Sequence, residues 1–260
     1  MRVATFNILH GRCPDDDEVH VDRFARAVAA LDADVLALQE VDRNQARSRN
    51  ADLTSIAADA MGAPHHRFVA ALSGSPGSTW LAATGDEQPD DAAYGVALLS
   101  RHPLSAWQVV RLPPVPTPVP MRFGGRLLPT WVRDEPRVAV AADVATSAGP
   151  VTAVTTHLSF VPWWNRRQLR LLVRALAHRR RPLLLTGDLN MDAGAAASVS
   201  GLRPLADHPT FPADRPREQL DHVLVDGSLD VRSSHAVRLP VSDHRALYVD
   251  LAVEPAVDPA

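Results

Sequence analysis

The feature that most restricts this chain is a recurring pattern, not a sequence repeat: a short, mostly apolar run that stops at a polar side chain. The runs are Arg2–Leu9, Asp34–Gln39, Tyr94–Ser100, Val138–Val144, Val151–Leu158, Leu183–Thr186, Gln219–Val225 and Ala246–Val253. Their length fits strands and falls far short of the ~20 residues of a membrane-spanning helix. Helical spacing is confined to three places. Asp22 reads as the N-cap of a helix to about Leu31, with Phe24, Val28 and Leu31 on one face. A second helix runs from Asn50 or Ala51 to Met61 and stops at Gly62. Asn165 reads as the cap of a third, to about His178, with Leu169, Leu172, Val173 and Leu176 at i, i+3, i+4 and i+7. Many strands with few, separated helices predict two packed sheets flanked by helices.

Residues 111–136 carry prolines at 113, 114, 116, 118, 120, 129 and 136, too many for a central strand or a helix. The expected structure is a long surface connection, pinned by burial of Phe123, Leu127, Leu128 and Trp131. No composition break divides the chain, so one domain is expected over 1–253, with 254–260 as a frayed tail. The opening MRVATFNILH shows neither a charged leader nor a long apolar run, and a cytoplasmic protein is expected.

Composition narrows the chemistry. All 27 Lys+Arg positions are arginine, and Cys13 is the single cysteine. A lysine Schiff base, a P-loop lysine, an intramolecular disulfide and a multi-cysteine zinc site are excluded. The net charge of −3 opposes a generally basic nucleic-acid surface.

The polar residues at the run ends carry the functional signal: Asn7, Gln39-Glu40, His157, Asp188, Asn190, Asp221 and Asp243-His244. Strand ends at one edge of a sandwich can converge on one cleft. Together these side chains form a hydrolytic set. Glu40 and Asp243 are hard oxygen ligands suited to Mg2+ or Mn2+. Histidines and a spare aspartate supply acid–base function near neutral pH. Asparagine amides stabilise developing charge on phosphorus without adding negative charge. Taken singly, each piece has an ordinary structural use as a solvated strand end, an Asx-turn, a cap or a core histidine. Their joint occurrence in this order separates the two readings.

Thr5-Phe-Asn-Ile8, Leu38-Gln-Glu-Val-Asp42, Tyr94-Gly-Val-Ala-Leu-Leu-Ser-Arg101, Thr156-His-Leu158, Gly187-Asp-Leu-Asn190, Leu220-Asp-His222 and Ser242-Asp-His244 closely resemble the endonuclease/exonuclease/phosphatase superfamily. The resemblance runs from Arg2 to about Leu251. It implies a DNase I-like four-layer α/β sandwich, two packed mixed sheets flanked by helices, with a divalent metal at the sheet edges. By resemblance, Glu40 is the main metal ligand, with Asn7 and Asp243 beside it. Asp188 orients or deprotonates the attacking water, and Asn190 holds the phosphate. His244 contacts phosphate oxygens and is fixed by Asp221. His157 stabilises the transition state or assists the leaving group, and Tyr94, which opens its motif, is counted with these catalytic residues.

The resemblance implies P–O cleavage more firmly than it implies a substrate. Abasic-site endonucleases carry an acidic residue where this chain has Leu9, which disfavours that branch. Arg166 and Arg167 are the arginines expected nearest the cleft, with Trp163 and Trp164 on a rim loop and Arg43 available for a second phosphate. The remaining arginines of 165–181 also fit a solvated helix face. The expected activity is that of a monomeric Mg2+- or Mn2+-dependent phosphodiesterase, with a small molecule or lipid head group favoured over nucleic acid and no stable membrane insertion. A nuclease and a catalytically inactive phosphate-binding protein are the alternatives.

Overall fold

A computed structural model describes residues 1–121 and 129–253. The expected tail, 254–260, and Phe123, Leu127 and Leu128 lie outside the described residues. Two sheets face each other. The seven-stranded sheet has the order Val231–Val237, Ala246–Leu251, Arg2–Asn7, Val35–Arg43, Ala93–Ser100, His65–Gly74, Trp80–Ala82. The six-stranded sheet has the order Arg203–Pro204, Asp221–Asp226, Leu183–Asp188, Val151–His157, Arg137–Val144, Leu104–Leu112. Each contains one parallel pair at its centre, Arg2–Asn7 with Val35–Arg43 and Val151–His157 with Leu183–Asp188.

Helices Val21–Leu31 and Leu53–Met61 share an apolar cluster with the outer face of the first sheet. Pro162–Ala175 and Ala193–Ser200 do the same on the second. Alternation within a strand sorts its side chains between layers: Val35 and Ala37 enter the cluster between the sheets, and Leu36 and Leu38 the helical one. Burial on both faces is why these strands read as continuous apolar runs. This is the expected four-layer α/β sandwich.

Local expectations changed in several places. The first helix begins at Val21 after His20, with Asp22 in its first turn. The third begins at Pro162, because proline's fixed φ suits the first helical position, and it ends at Ala175. Asn165 therefore lies inside the helix, and its amide donates to Asn190 O at 2.7 Å. Trp163 and Trp164 open that helix; they are not on a loop. The proline-rich segment contains a small hairpin, Val119–Met121 with Thr130–Val132, and Trp131 is 70% exposed there instead of buried. The strands His65–Gly74, Leu104–Leu112 and Val231–Val237 and the helix Ala193–Ser200 were not expected. Leu104–Leu112 and Val231–Val237 are partly exposed along most of their length and lack an uninterrupted apolar run, whereas His65–Gly74 opens on the polar His65-His-Arg67 before its apolar stretch Phe68–Leu72.

Gly187 shows how closely the six-stranded sheet packs beneath the cleft. Its φ is +137°, and a Cβ there would stand 1.9 Å from Thr156 O. The obstacle is backbone, which no side-chain rotation relieves. Gly187→Ala is expected to destabilise the protein by about 3 kcal/mol, from combined overpacking and strain. A denaturant midpoint unchanged from wild type would contradict this.

Candidate active site

The parallel pairs end at the same edge of the sandwich. Asn7 sits opposite Gln39 and His157 opposite Asp188, while Asp188 faces Asp221 across an antiparallel pair. Gln39 Nε2 donates to Thr155 Oγ1 at 2.9 Å, joining the two sheets below this edge. Above it, the Asn7 amide donates to Glu40 Oε1 and Asp188 Oδ2, both at 3.0 Å. Asn7 is aimed for this by Leu9 N, which donates to its Oδ1 at 3.1 Å.

Three non-glycine residues of the site hold positive φ: Glu40 (56°), Asn190 (51°) and Ser242 (71°). At Glu40 the cause is a bulge. Leu38 pairs with Ala97 and Val41 with Gly95, so the strand carries one extra residue there. Such a bulge re-aims a side chain at the rim of a sheet, at a cost in backbone strain. Gly95, opposite Val41, lies tight against the strand on its other side, since a Cβ on it would lie 2.0 Å from Val69 O.

The histidines stand on either side of Asp188. His157 Nε2 is 3.5 Å and His244 Nε2 3.8 Å from Asp188 Oδ2. His244 Nδ1 meets Asp221 Oδ2 at 2.8 Å, and the phenyl ring of Phe211 packs 4.9 Å from the imidazole. Ser242 positions the His244 backbone, accepting from its N at 3.1 Å while donating to Asn7 O at 2.6 Å. Asn190 N donates to Asp188 Oδ1 at 2.9 Å.

Burial dominates the electrostatics. It pulls the His244 pKa down, but the charge and hydrogen bond of Asp221, aided by Asp188 and Asp243, outweigh it and raise the value to about 10. Asp188 is raised to about 7 by burial, with His244 opposing, Asp221 reinforcing, and hydrogen bonds from Asn7 and Asn190 opposing. Burial also raises Glu40 and pushes Tyr94 well above its ordinary range, the latter reinforced by the charge of Glu40. His157 is held well below the usual imidazole range by burial and then by Arg137.

The donor set fits a hard divalent cation at Glu40. Its hydrogen bond from the described residues goes to Oε1, leaving Oε2 without one, and Asp243 is close enough to raise its pKa. Asp188, Asp221 and His244 also present ligand atoms within 4.8 Å of one another. Their chemistry favours a charge network, because a His244 protonated through its pairing with Asp221 has no lone pair for a metal.

A cleft of about 850 Å3 brings Glu40, Tyr94, His157, Asp188, Asn190 and His244 together. Its wall adds Arg137, Glu135, Glu218, Phe160 and Phe211, which sequence reasoning missed. The signal for Arg137 lay at a strand start. Its strand runs antiparallel to Val151–His157, so the beginning of one meets the end of the other. The five residues expected to bind substrate fall elsewhere. Arg43 lines a separate cavity with Arg67, Phe68 and Arg111. Trp164 is buried, donating to Pro113 O at 2.8 Å, with Arg167 stacked 4.8 Å above its ring. Arg166 is exposed, and Trp163 is 56% exposed at the start of the helix that follows Phe160.

Comparison with known proteins supplies the context. A model described as Endonuclease/Exonuclease/phosphatase family matches residues 4–244. No curated protein sequence matches. Among solved structures, an endonuclease/exonuclease/phosphatase from Beutenbergia cavernae DSM 12333 is similar at TM-score 0.65 and 22% identity, covering 100% of this chain and 73% of its own. A mannosyl-6-phosphatase from Bacteroides thetaiotaomicron VPI-5482 is similar at TM-score 0.65 and 15% identity, covering 97% and 99%. Sphingomyelinase C from Streptomyces griseocarneus follows at TM-score 0.62 and 18% identity, covering 96% and 98%.

Proposed function

This chain belongs to the endonuclease/exonuclease/phosphatase family, and on that premise we propose that it is a divalent-metal-dependent phosphodiesterase in which water attacks phosphorus in line. Phosphoester hydrolysis is the chemistry of the named relatives, the mannosyl-6-phosphatase and the sphingomyelinase among them. The observation that carries the reading is the bridge from one amide, Asn7 Nδ2, to carboxylates on two different sheets, with a histidine on each side of the second.

Glu40, with Asn7 and Asp243, would hold Mg2+ or Mn2+, which supplies a Lewis acid for a phosphoryl oxygen. Asp188 accepts the proton of the attacking water; its value near 7 balances basicity against availability of the ionised form. Protonated His244, held by Asp221, binds a phosphoryl oxygen as a charge-assisted donor. Asn190 holds a further oxygen, and Tyr94, kept protonated by burial, is a donor at the cleft wall.

A small molecule or lipid head group is favoured over nucleic acid. Beyond the catalytic carboxylates the cleft wall sets Glu135 and Glu218 against Arg133 and Arg137, a balance that supplies no net positive charge for a continuous phosphate backbone. Arg166, Arg170 and Arg174 are exposed on the helix, and Arg179 and Arg181 are paired with Asp143 and Asp226. Trp163 is the retained candidate for head-group or interface contact. Arg166 and Arg167 border that position on the same helix, and Arg43 is kept as a phosphate contact outside the cleft. Among the described residues no helix is long and apolar enough to cross a membrane. A monomer in the cytoplasm completes the proposal.

The test is a panel of mononucleotide, DNA, glycerophosphodiester, sphingomyelin and inositol phosphate substrates with Mg2+ or Mn2+. Diester cleavage abolished by EDTA and restored by metal is expected. Activity that survives EDTA would overturn the metal assignment, and preferential cleavage of DNA would replace this reading with a nuclease. Metal-dependent phosphate binding without turnover would make the protein an inactive binder on the same scaffold.

A further inference from the structure

Arg137 reaches the cleft wall from the start of its strand and is only 6% exposed. Its Nη1 lies 3.2 Å from His157 Nδ1. A guanidinium has hydrogens to offer and no lone pair, so Nδ1 is the acceptor in this contact. The hydrogen of the neutral imidazole is then on Nε2. Burial opposes the charge on the guanidinium, but Tyr94 first, then Glu135, with Oε2 at 3.8 Å, and the nearby Asp134 and Glu40 outweigh it.

The other side of the ring shows what this arrangement is for. His157 Nε2 lies 3.2 Å from Asn190 Nδ2, which also donates to Leu158 O at 3.0 Å. An amide nitrogen has two hydrogens, so one is engaged by Leu158 and the other is available to the cleft. With the ring hydrogen on Nε2, two N–H groups stand side by side. Asp188 Oδ2, at 3.5 Å from Nε2, is beyond ordinary hydrogen-bond range. Adjacent donors lacking an acceptor between them suit an anionic oxygen. The opposite tautomer would let Asn190 donate to Nε2 but would aim the Nδ1 hydrogen at a buried cation. Opposing a charged donor costs more than opposing a neutral amide.

We propose that Arg137 is a positioning residue that sets the tautomer of His157, so that His157 Nε2–H and Asn190 Nδ2–H bind one phosphoryl oxygen together. The identity of that oxygen rests on the phosphodiesterase reading; the tautomer does not. His157 in this arrangement is a hydrogen-bond donor and not a base, and proton acceptance from water falls to Asp188.

The test uses the full chain labelled with 15N-histidine and supplied with Mg2+. Long-range 1H–15N correlation reports the tautomer of each ring, and His157 is assigned by the signal lost in His157→Gln. Wild type is expected to show the Nε2–H form, Arg137→Lys to retain it, and Arg137→Met to shift toward Nδ1–H. On bis-p-nitrophenyl phosphate, Arg137→Met is expected to lose about 100-fold in kcat with little change in KM, as for removal of one transition-state donor, and Arg137→Lys far less. An Nδ1–H ring in wild type, or an Nε2–H ring persisting in Arg137→Met, would overturn the proposal. If Arg137→Met fails to fold, the wild-type and Arg137→Lys spectra decide. A tautomer that shifts as expected in a protein that cleaves no phosphoester would uphold the role of Arg137 toward His157 and reject the phosphodiesterase reading.

Discussion

Glu40→Gln is expected to lower kcat on bis-p-nitrophenyl phosphate by about a thousandfold, since a bound metal contributes several kcal/mol of charge stabilisation at 1.36 kcal/mol per factor of ten. The substitution is nearly isosteric, and its Oε1 still accepts from Asn7. Its effect on stability should run the other way. Burial raises the Glu40 pKa above 4.5, so the folded state binds its proton more tightly than the unfolded state does. That contribution is present at pH below the unfolded value and is lost as pH rises through the folded one. At pH 8 without metal, wild type therefore bears the cost of a buried charge that the glutamine lacks. Glu40→Gln in EDTA should melt no lower than wild type, yet gain much less on addition of Mg2+ or Mn2+. An equal gain in Tm would remove Glu40 from the metal site.

His244→Ala should be the more damaging of the two changes that break the buried ion pair. It removes the imidazole proposed to bind a phosphoryl oxygen and leaves Asp221, which is 0% exposed, without its cation. Removing one partner of a buried pair costs about 3–5 kcal/mol. Asp221→Asn retains the ring but loosens its orientation and lowers its charge, so it should keep more activity than His244→Ala. Loss as great in Asp221→Asn would assign Asp221 a direct role. The pH dependence separates the variants further. The His244 pKa rises from 6.5 to about 10, so the stabilisation it confers is fully present below about pH 6.5 and disappears as pH climbs through 10. Metal-free wild type should lose unfolding free energy between pH 7 and 10, and both variants should show a flatter profile. A wild-type profile as flat as theirs would mean that the pair is not charged in the folded protein.

Much of the candidate site was legible because strand ends leave a local record. Asn7, Glu40, His157 and Asp188 each close an apolar run, and the structure brings all of them to one edge. Arg137 was overlooked because it opens its run, and only the antiparallel pairing carries that opening to the same edge. The tryptophan pair was misplaced for a related reason. Pro162 starts a helix earlier than Asn165 would, and the helical turn sends Trp164 inward and Trp163 outward. Neighbours in sequence thus acquired opposite environments. Arg43 follows Glu40 by three residues, yet the bulge at Glu40 and the course of the strand leave it in another cavity.

What the sequence determined by itself was the set of layers and the chemical inventory. Continuous apolar runs fit strands buried on both faces, and a chain with neither lysine nor a second cysteine leaves carboxylates, amides, imidazoles, hydroxyls and arginine to do its chemistry. Only the tertiary structure decided which arginine stands against His157, which tryptophan meets solvent and which carboxylates share one amide. Apolar patterning is written residue by residue along each strand. Pairing between strands depends on register and direction, and these emerge when distant segments pack against one another.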